Sequence, residues 1–288
     1  MSAEIPNRNA LVQPAVPAAF SSSDRRGFLY CLAAAVAGFA VSDSSSAQAQ
    51  TPPTGSKPAG QKKKGPSPTS GVAGIKELLS RKEPNTWVFT GDEITEAAEH
   101  TKGFRSYSEL FGERVRWEFR RPRDVVINTG VSGEKADGLL ADLEWRALRF
   151  KPDVVSVMLG VNDCTLGPVG HNIFRKNLTA IVNKIMGAGA IPILNTPSTV
   201  YLKNLEWGEH LAAYAEVIRE VAKATKAVLV DQFAFWETSK PDQEALKQWL
   251  ADEKSHPNAL GHRALAQQLF VALEIFDDKS ATCKLPLE

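Results

Sequence analysis

The sequence predicts an α/β protein, a parallel sheet of about five strands with helices on both faces. Three observations predict it. Short, continuous apolar runs of strand length recur along the chain, as expected for strands buried on both faces. Longer segments with a 3.6-residue apolar period lie between them. The two kinds of segment alternate, and that alternation is the pattern of parallel strands joined by crossover helices.

The expected strands are Thr86–Thr90, Val125–Asn128, Val154–Leu159, Ile191–Asn195 and Val228–Asp231. Ser106-Tyr107-Ser108-Glu109 is a capping box that opens a helix with Tyr107, Leu110 and Phe111 on one face. A second helix aligns Leu139, Leu140, Leu143 and Ala147; a third aligns Phe174, Leu178, Ile181, Val182 and Ile185 and stops near Gly187. A fourth carries Leu211, Tyr214, Ala215, Ile218, Val221 and Ala222, and the last, from Leu260, carries Leu265, Leu269, Leu273 and Phe276.

A chain of 288 residues with 43% hydrophobic content has ample material for a packed core. With Lys+Arg 34 against Asp+Glu 33, the net charge of +1 gives no reason to expect nucleic acid or an anionic membrane as partner. Cys31, Cys164 and Cys283 lack the close spacing of zinc ligands, and they read as small buried hydrophobes or free thiols. Pairing of Cys164 with Cys283 stays open in an oxidising compartment.

Ahead of the folded region, Arg25-Arg26 precedes an apolar run of about 15 residues, short for a spanning helix, and then Ala47-Gln48-Ala49. Twin arginines, a modest apolar region and an Ala-x-Ala site predict a twin-arginine export signal over 1–49, removed on export to the periplasm or beyond. No stable membrane insertion is expected after processing. Residues 50–73, dense in Pro, Gly, Ser and Lys, are expected to be a linker, and 74–288 the folded domain.

Open α/β sheets place their reactive groups at the carboxyl ends of the strands. The first strand ends in Gly91-Asp92-Glu93-Ile94-Thr95, the second in Asn128-Thr129-Gly130-Val131-Ser132-Gly133, and the third in Gly160-Val161-Asn162-Asp163. Glu253-Lys254-Ser255-His256-Pro257-Asn258 precedes the last helix. These blocks, in this order, resemble those of the SGNH or GDSL hydrolases, a family of esterases and lipases. The resemblance implies a flavodoxin-like three-layer α/β/α sandwich and the hydrolysis of carboxylic esters, whether acyl esters or acetylated glycans.

The same resemblance implies the site. Gly130 N–H and the Asn162 amide would be oxyanion donors, and His256 the base, oriented by Glu253 or by neighbouring Asp252. Those residue types suit acyl transfer, which needs fixed donors where negative charge develops and a near-neutral base. The place of the nucleophile serine is held by Glu93. Ser132 lacks the spacing of a nucleophile elbow. His100, His171, His210 and His262 show no ligand spacing, so no metal or cofactor is expected.

Three outcomes follow for Glu93. The carboxylate silences serine-type turnover; or it acts itself as nucleophile or as base on water; or the cleft binds a glycan or acyl group without turning it over. Glutamate carries its carboxylate two carbons beyond the serine oxygen. It is therefore expected to accept a hydrogen bond from Gly130 or Asn162, or to pair with His256.

Overall fold

Thr86–Gly91 forms β1, which lies between β2 (Val125–Asn128) and β3 (Val154–Met158). With β4 (Ile191–Asn195) and β5 (Val228–Val230) the sheet runs in the order β2-β1-β3-β4-β5, every pairing parallel. Trp87 stands opposite Val126 on one side and Val154 on the other. The computed structural model describes residues 70–202, 205–252 and 254–287, all within the compact unit Lys62–Glu288. The expected leader and most of the expected linker, with Cys31, lie outside the described residues, as does Glu253.

In chain order the helices are α1 (Gly71–Ser80), α2 (Glu93–Glu96), α3 (Ala98–Thr101), α4 (Tyr107–Glu113) and α5 (Ala136–Arg146). They continue as α6 (His171–Gly187), α7 (Leu211–Thr225), α8 (Gln232–Ser239), α9 (Gln243–Leu246) and α10 (Ala259–Ala272). The crossover from β1 to β2 runs one way across the sheet, and those from β2 on to β5 run the other. Right-handed crossovers therefore put α4 on one face and α5, α6 and α7 on the opposite one. Contacts agree, since α5, α6 and α7 pack side by side while α10 packs on α4. The reversal of direction beside β1 is the switch point at which such sheets open a crevice.

β1, β3 and β4 are buried nearly throughout, which their unbroken apolar runs reflect, whereas β2 at the edge leaves Val125 49% exposed. The Ser106 capping box is present: Ser106 Oγ accepts the Glu109 N–H at 3.3 Å, and a Glu109 carboxylate oxygen accepts the Ser106 N–H at 2.8 Å. The buried faces of α4, α6 and α7 are the ones expected.

The structure corrects the reading in a few places. α1 starts at Gly71, inside the range 50–73 expected to be linker, and buries Ile75 and Leu78. Its apolar stripe of Val72, Ile75, Leu78 and Leu79 begins directly behind the Pro- and Lys-rich stretch, whose composition hid the helix start. Phe276 is 43% exposed, because α10 ends at Ala272 and Glu274 takes a φ of +55°, which turns the chain before Phe276 can join the buried stripe. Cys164 and Cys283 are both free and buried.

Candidate functional site

The site forms where β1 gives way to α2. Gly91 has φ +149°, and a Cβ there would lie 1.9 Å from the Met158 carbonyl oxygen of β3, so the strand exit has room for glycine alone. Asp92 then caps α2, its Oδ1 accepting the Ile94 N–H at 3.1 Å. This places Glu93 in the first turn, pointing into the crevice and 7% exposed.

The block after β2 packs against that same turn. A Cβ on Gly130 would meet Glu96 N at 2.3 Å, so the loop touches the α2 backbone directly. Its N–H does not reach the crevice. It donates to Asn128 Oδ1 at 2.9 Å in a local Asx turn, which takes Gly130 out of the donor role expected of it. The amide of this loop that reaches Glu93 is that of Gly133, whose N–H donates to Oε2 at 2.9 Å. The preceding N–H, of Ser132, donates to Glu96 Oε2 at 2.7 Å, so two glutamates one turn apart grip consecutive amides of one loop.

Asn162, just beyond β3, donates its side-chain amide to the same Glu93 Oε2 at 2.8 Å. Oε2 thus sits between two fixed donors, while Oε1 lies 3.8 Å from His256 Nε2. That is an ion-pair distance, too long for a direct hydrogen bond. Burial favours the neutral acid, but the contacts from His256, Gly133 and Asn162 outweigh it and hold the Glu93 carboxyl down at about 2.

His256 comes from the loop between Leu250 and α10, closed by Ala251 N–H donating to the His256 carbonyl at 2.8 Å. Asp252 holds it. Its Oδ2 lies 2.6 Å from His256 Nδ1, and its Oδ1 accepts the N–H groups of Lys254, Ser255 and His256 at 3.0, 3.1 and 3.2 Å. The orienting place beside Nδ1 is therefore taken by the alternative candidate, Asp252. Burial lowers the His256 pKa, yet Glu93 and Asp252 on its two nitrogens outweigh that and raise it. The imidazolium is thereby favoured more than in a free histidine.

Sequence reasoning also missed His100, on α3, whose ring stacks on that of His256 with centroids 3.8 Å apart and planes within 11°. Burial first, and the charge of His256 second, lower the pKa of His100, so the two stacked rings are shifted in opposite directions. Nothing in the spacing of two histidines so far apart in the chain signals such a stack. Beneath the site Asp92 is raised well above its ordinary value by burial and by the Glu93 charge, and Asp163 is pushed up by burial to about 6. Arg146, 6% exposed, braces the crevice from below by donating to the carbonyls of Gly91 at 2.8 Å and Thr129 at 2.7 Å, and pairs with Glu134. Among the described residues no group of three or more His, Cys, Asp or Glu could hold a metal ion, and no helix is long and apolar enough to cross a membrane.

The ion cluster makes stability depend on pH. Glu93 is depressed from its ordinary 4.5 to about 2, so its contribution is present above pH 4.5 and is lost as pH falls towards 2. His256 is raised above 6.5, so its contribution is present below that pH and fades as pH rises past the raised value. Urea titrations of wild type and Glu93→Gln should differ by up to about 3 kcal/mol near pH 5 to 6. The gap should close as pH is taken from 4.5 to 2; a gap that persists at pH 2 would contradict the depressed carboxyl.

A model of the GDSL-like lipase/acylhydrolase family matches residues 89–264. An acetylxylan esterase of Geobacillus stearothermophilus is 29% identical over 155 residues, which span 49% of this chain and 68% of that enzyme. Among solved structures, LAE5, an alpha/beta hydrolase enzyme from the metagenome of Lake Arreo, Spain, superposes with a TM-score of 0.59 at 23% identity, over 70% of this chain and 100% of that one. The crystal structure of Axe2, an acetylxylan esterase from Geobacillus stearothermophilus, gives 0.54 at 21% identity, over 66% of this chain and 94% of that one. Both structural likenesses speak to the fold, the five-stranded parallel sheet flanked by helices.

Proposed function

Because this chain belongs to the GDSL-like lipase/acylhydrolase family, we propose that it carries an ester-hydrolase site whose serine-type turnover is silent. Glu93 stands in for the nucleophile serine, and its own carboxylate fills the oxyanion hole. One observation carries this reading. Glu93 Oε2 accepts both donors that an ester's carbonyl oxygen would need, Gly133 N–H at 2.9 Å and the Asn162 amide at 2.8 Å. A bound carboxylic acid product would make the same contacts.

His256 supports it from the other side. An imidazolium clasped between two carboxylates has no lone pair on Nε2 with which to take a proton. The site residues thus keep the family's shape while two of its working parts, the vacant hole and the neutral base, are taken up by Glu93. The ligand class that the relatives favour is an acyl ester or acetylated glycan, since one of them is named an acetylxylan esterase.

The test compares wild type with Glu93→Ser on aryl acetates and acetylated xylooligosaccharides. Wild type should stay at the background rate and the variant should rise above it; wild-type turnover at ordinary esterase rates would sink the reading. Export belongs to the same proposal and rests on Arg25-Arg26 and Ala47-Gln48-Ala49. Replacing both arginines with lysine should leave the unprocessed chain inside the cell, as a blot of fractionated cells would record. Unchanged processing after Ala49 would remove the twin-arginine route.

A further inference from the structure

We propose that Glu93 is a nucleophile towards saturated carbon and that this site opens small epoxides, with His256 giving a proton in the first step and taking one from water in the second. The proposal deepens the preceding reading and rests on it, since Glu93 and not a serine must face the ligand.

The unequal surroundings of the two Glu93 oxygens point this way. Oε2 is held by Gly133 N–H and the Asn162 amide, whereas Oε1 faces His256 Nε2, 3.8 Å away, too far for a hydrogen bond. An ionised carboxylate anchored through one oxygen offers the other to an electrophile. The two side chains keep 9% and 24% of their surface open, so both reach solvent. A 3.8 Å gap leaves the Nε2 proton unsatisfied by Oε1 and free for a third group lodged against both.

The position of the donors decides between acyl and alkyl chemistry. An ester needs its carbonyl oxygen in the hole from the start, and Oε2 is already there. Attack on a saturated carbon needs no hole. The hole is needed later, because hydrolysis of a glutamyl ester places the negative charge on Oε2 itself, the atom that both donors already hold.

The steps balance. Glu93 Oε1 forms a bond to an epoxide carbon; that carbon's bond to the ring oxygen breaks with its electron pair, and the oxygen takes the Nε2 proton of His256. The products are a hydroxyalkyl ester on Glu93 and a neutral imidazole. Esterification removes the carboxylate charge that favours the imidazolium, so His256 becomes a base when one is required. Water then gives a proton to Nε2 and its oxygen adds to the Glu93 carboxyl carbon. Collapse expels the alkoxide, which takes the proton back from His256, and the resulting Glu93 acid returns its own proton to the imidazole. The sum is epoxide plus water to diol. Asp252, 2.6 Å from Nδ1, stabilises the imidazolium each time it forms.

The experiment uses the folded chain with 1,2-epoxy-3-(4-nitrophenoxy)propane, following diol by chromatography and covalent adducts by peptide mass. Wild type should form diol, and a single turnover in heavy-oxygen water should leave the label in the peptide that contains Glu93. His256→Asn, which lacks both the proton donor of the first step and the base of the second, and Glu93→Gln, which lacks the nucleophile, should each lower diol formation on the order of 10²-fold or more. Thermal melts show that each variant is folded. Neither label nor adduct on Glu93 of wild type, or either confined to another carboxylate, would overturn the proposal. Ester turnover by wild type, assayed in parallel, would instead count against the preceding reading and leaves the adduct result to judge this one.

Discussion

Glu93→Ser should raise hydrolysis of an aryl acetate by on the order of 10² to 10⁴ over wild type, because the substitution releases two catalytic parts at once. Gly133 N–H and the Asn162 amide lose the carboxylate they now hold and become free to meet a carbonyl oxygen. His256 loses one of the two anions that raise its pKa and keeps Asp252 on Nδ1, so the neutral base forms at lower pH. The new hydroxyl is placed by the same capped turn that places Glu93. The rate should climb with pH as His256 gives up its proton, and adding Asn162→Ala should cost about 10²-fold of the gain. Release of nitrophenol from nitrophenyl acetate measures each rate. A variant that stays at the wild-type rate would mean that more than this one side chain closes the site.

Gly91→Ala should cost more than about 4 kcal/mol of stability, which for a chain of this kind means loss of the soluble fold. The added carbon would stand 1.9 Å from the Met158 carbonyl oxygen at the point where β1 pairs with β3, and the φ of +149° is strained for any residue with a side chain. Relief requires the two central strands to part at the end where Asp92, Glu93 and Asn162 are mounted. Soluble yield and a urea melt would record the effect. A variant that melts within 1 kcal/mol of wild type would show that the strand exit has slack these contacts deny.

The contrast between Gly130 and Gly133 shows how far the sequence could be read. All five strands were legible because each is a short apolar run, even the exposed edge strand β2, and the starts of the reactive loops followed from the strand ends. Which amide in a loop faces the crevice depends on dihedral angles that residue names do not carry. Asn128 bonds back to Gly130 N–H and turns it away, while Gly133, with φ +78°, presents its own. The same limit separates Asp252 from Glu253. Both precede His256 by three or four residues in the chain, and Asp252 stands on Nδ1 because its other oxygen collects three loop amides that fix its orientation. The His100 stack depends on where α3 lands and had no local signal.

Glu93 and Glu96 grip neighbouring amides of the loop after β2, from one turn of one short helix. The occupant of the hole is thus tethered, and its local concentration is set by covalent geometry and not by solution. For rigidly placed groups the effective molarity reaches roughly 10⁵ M and above. Free acetate or a short fatty acid, even at molar strength, competes at a large disadvantage for the same two donors. Fragment screens with small carboxylic acids should therefore return nothing from this hole in wild type and give hits only once the tethered group is cut away, as in Glu93→Ser.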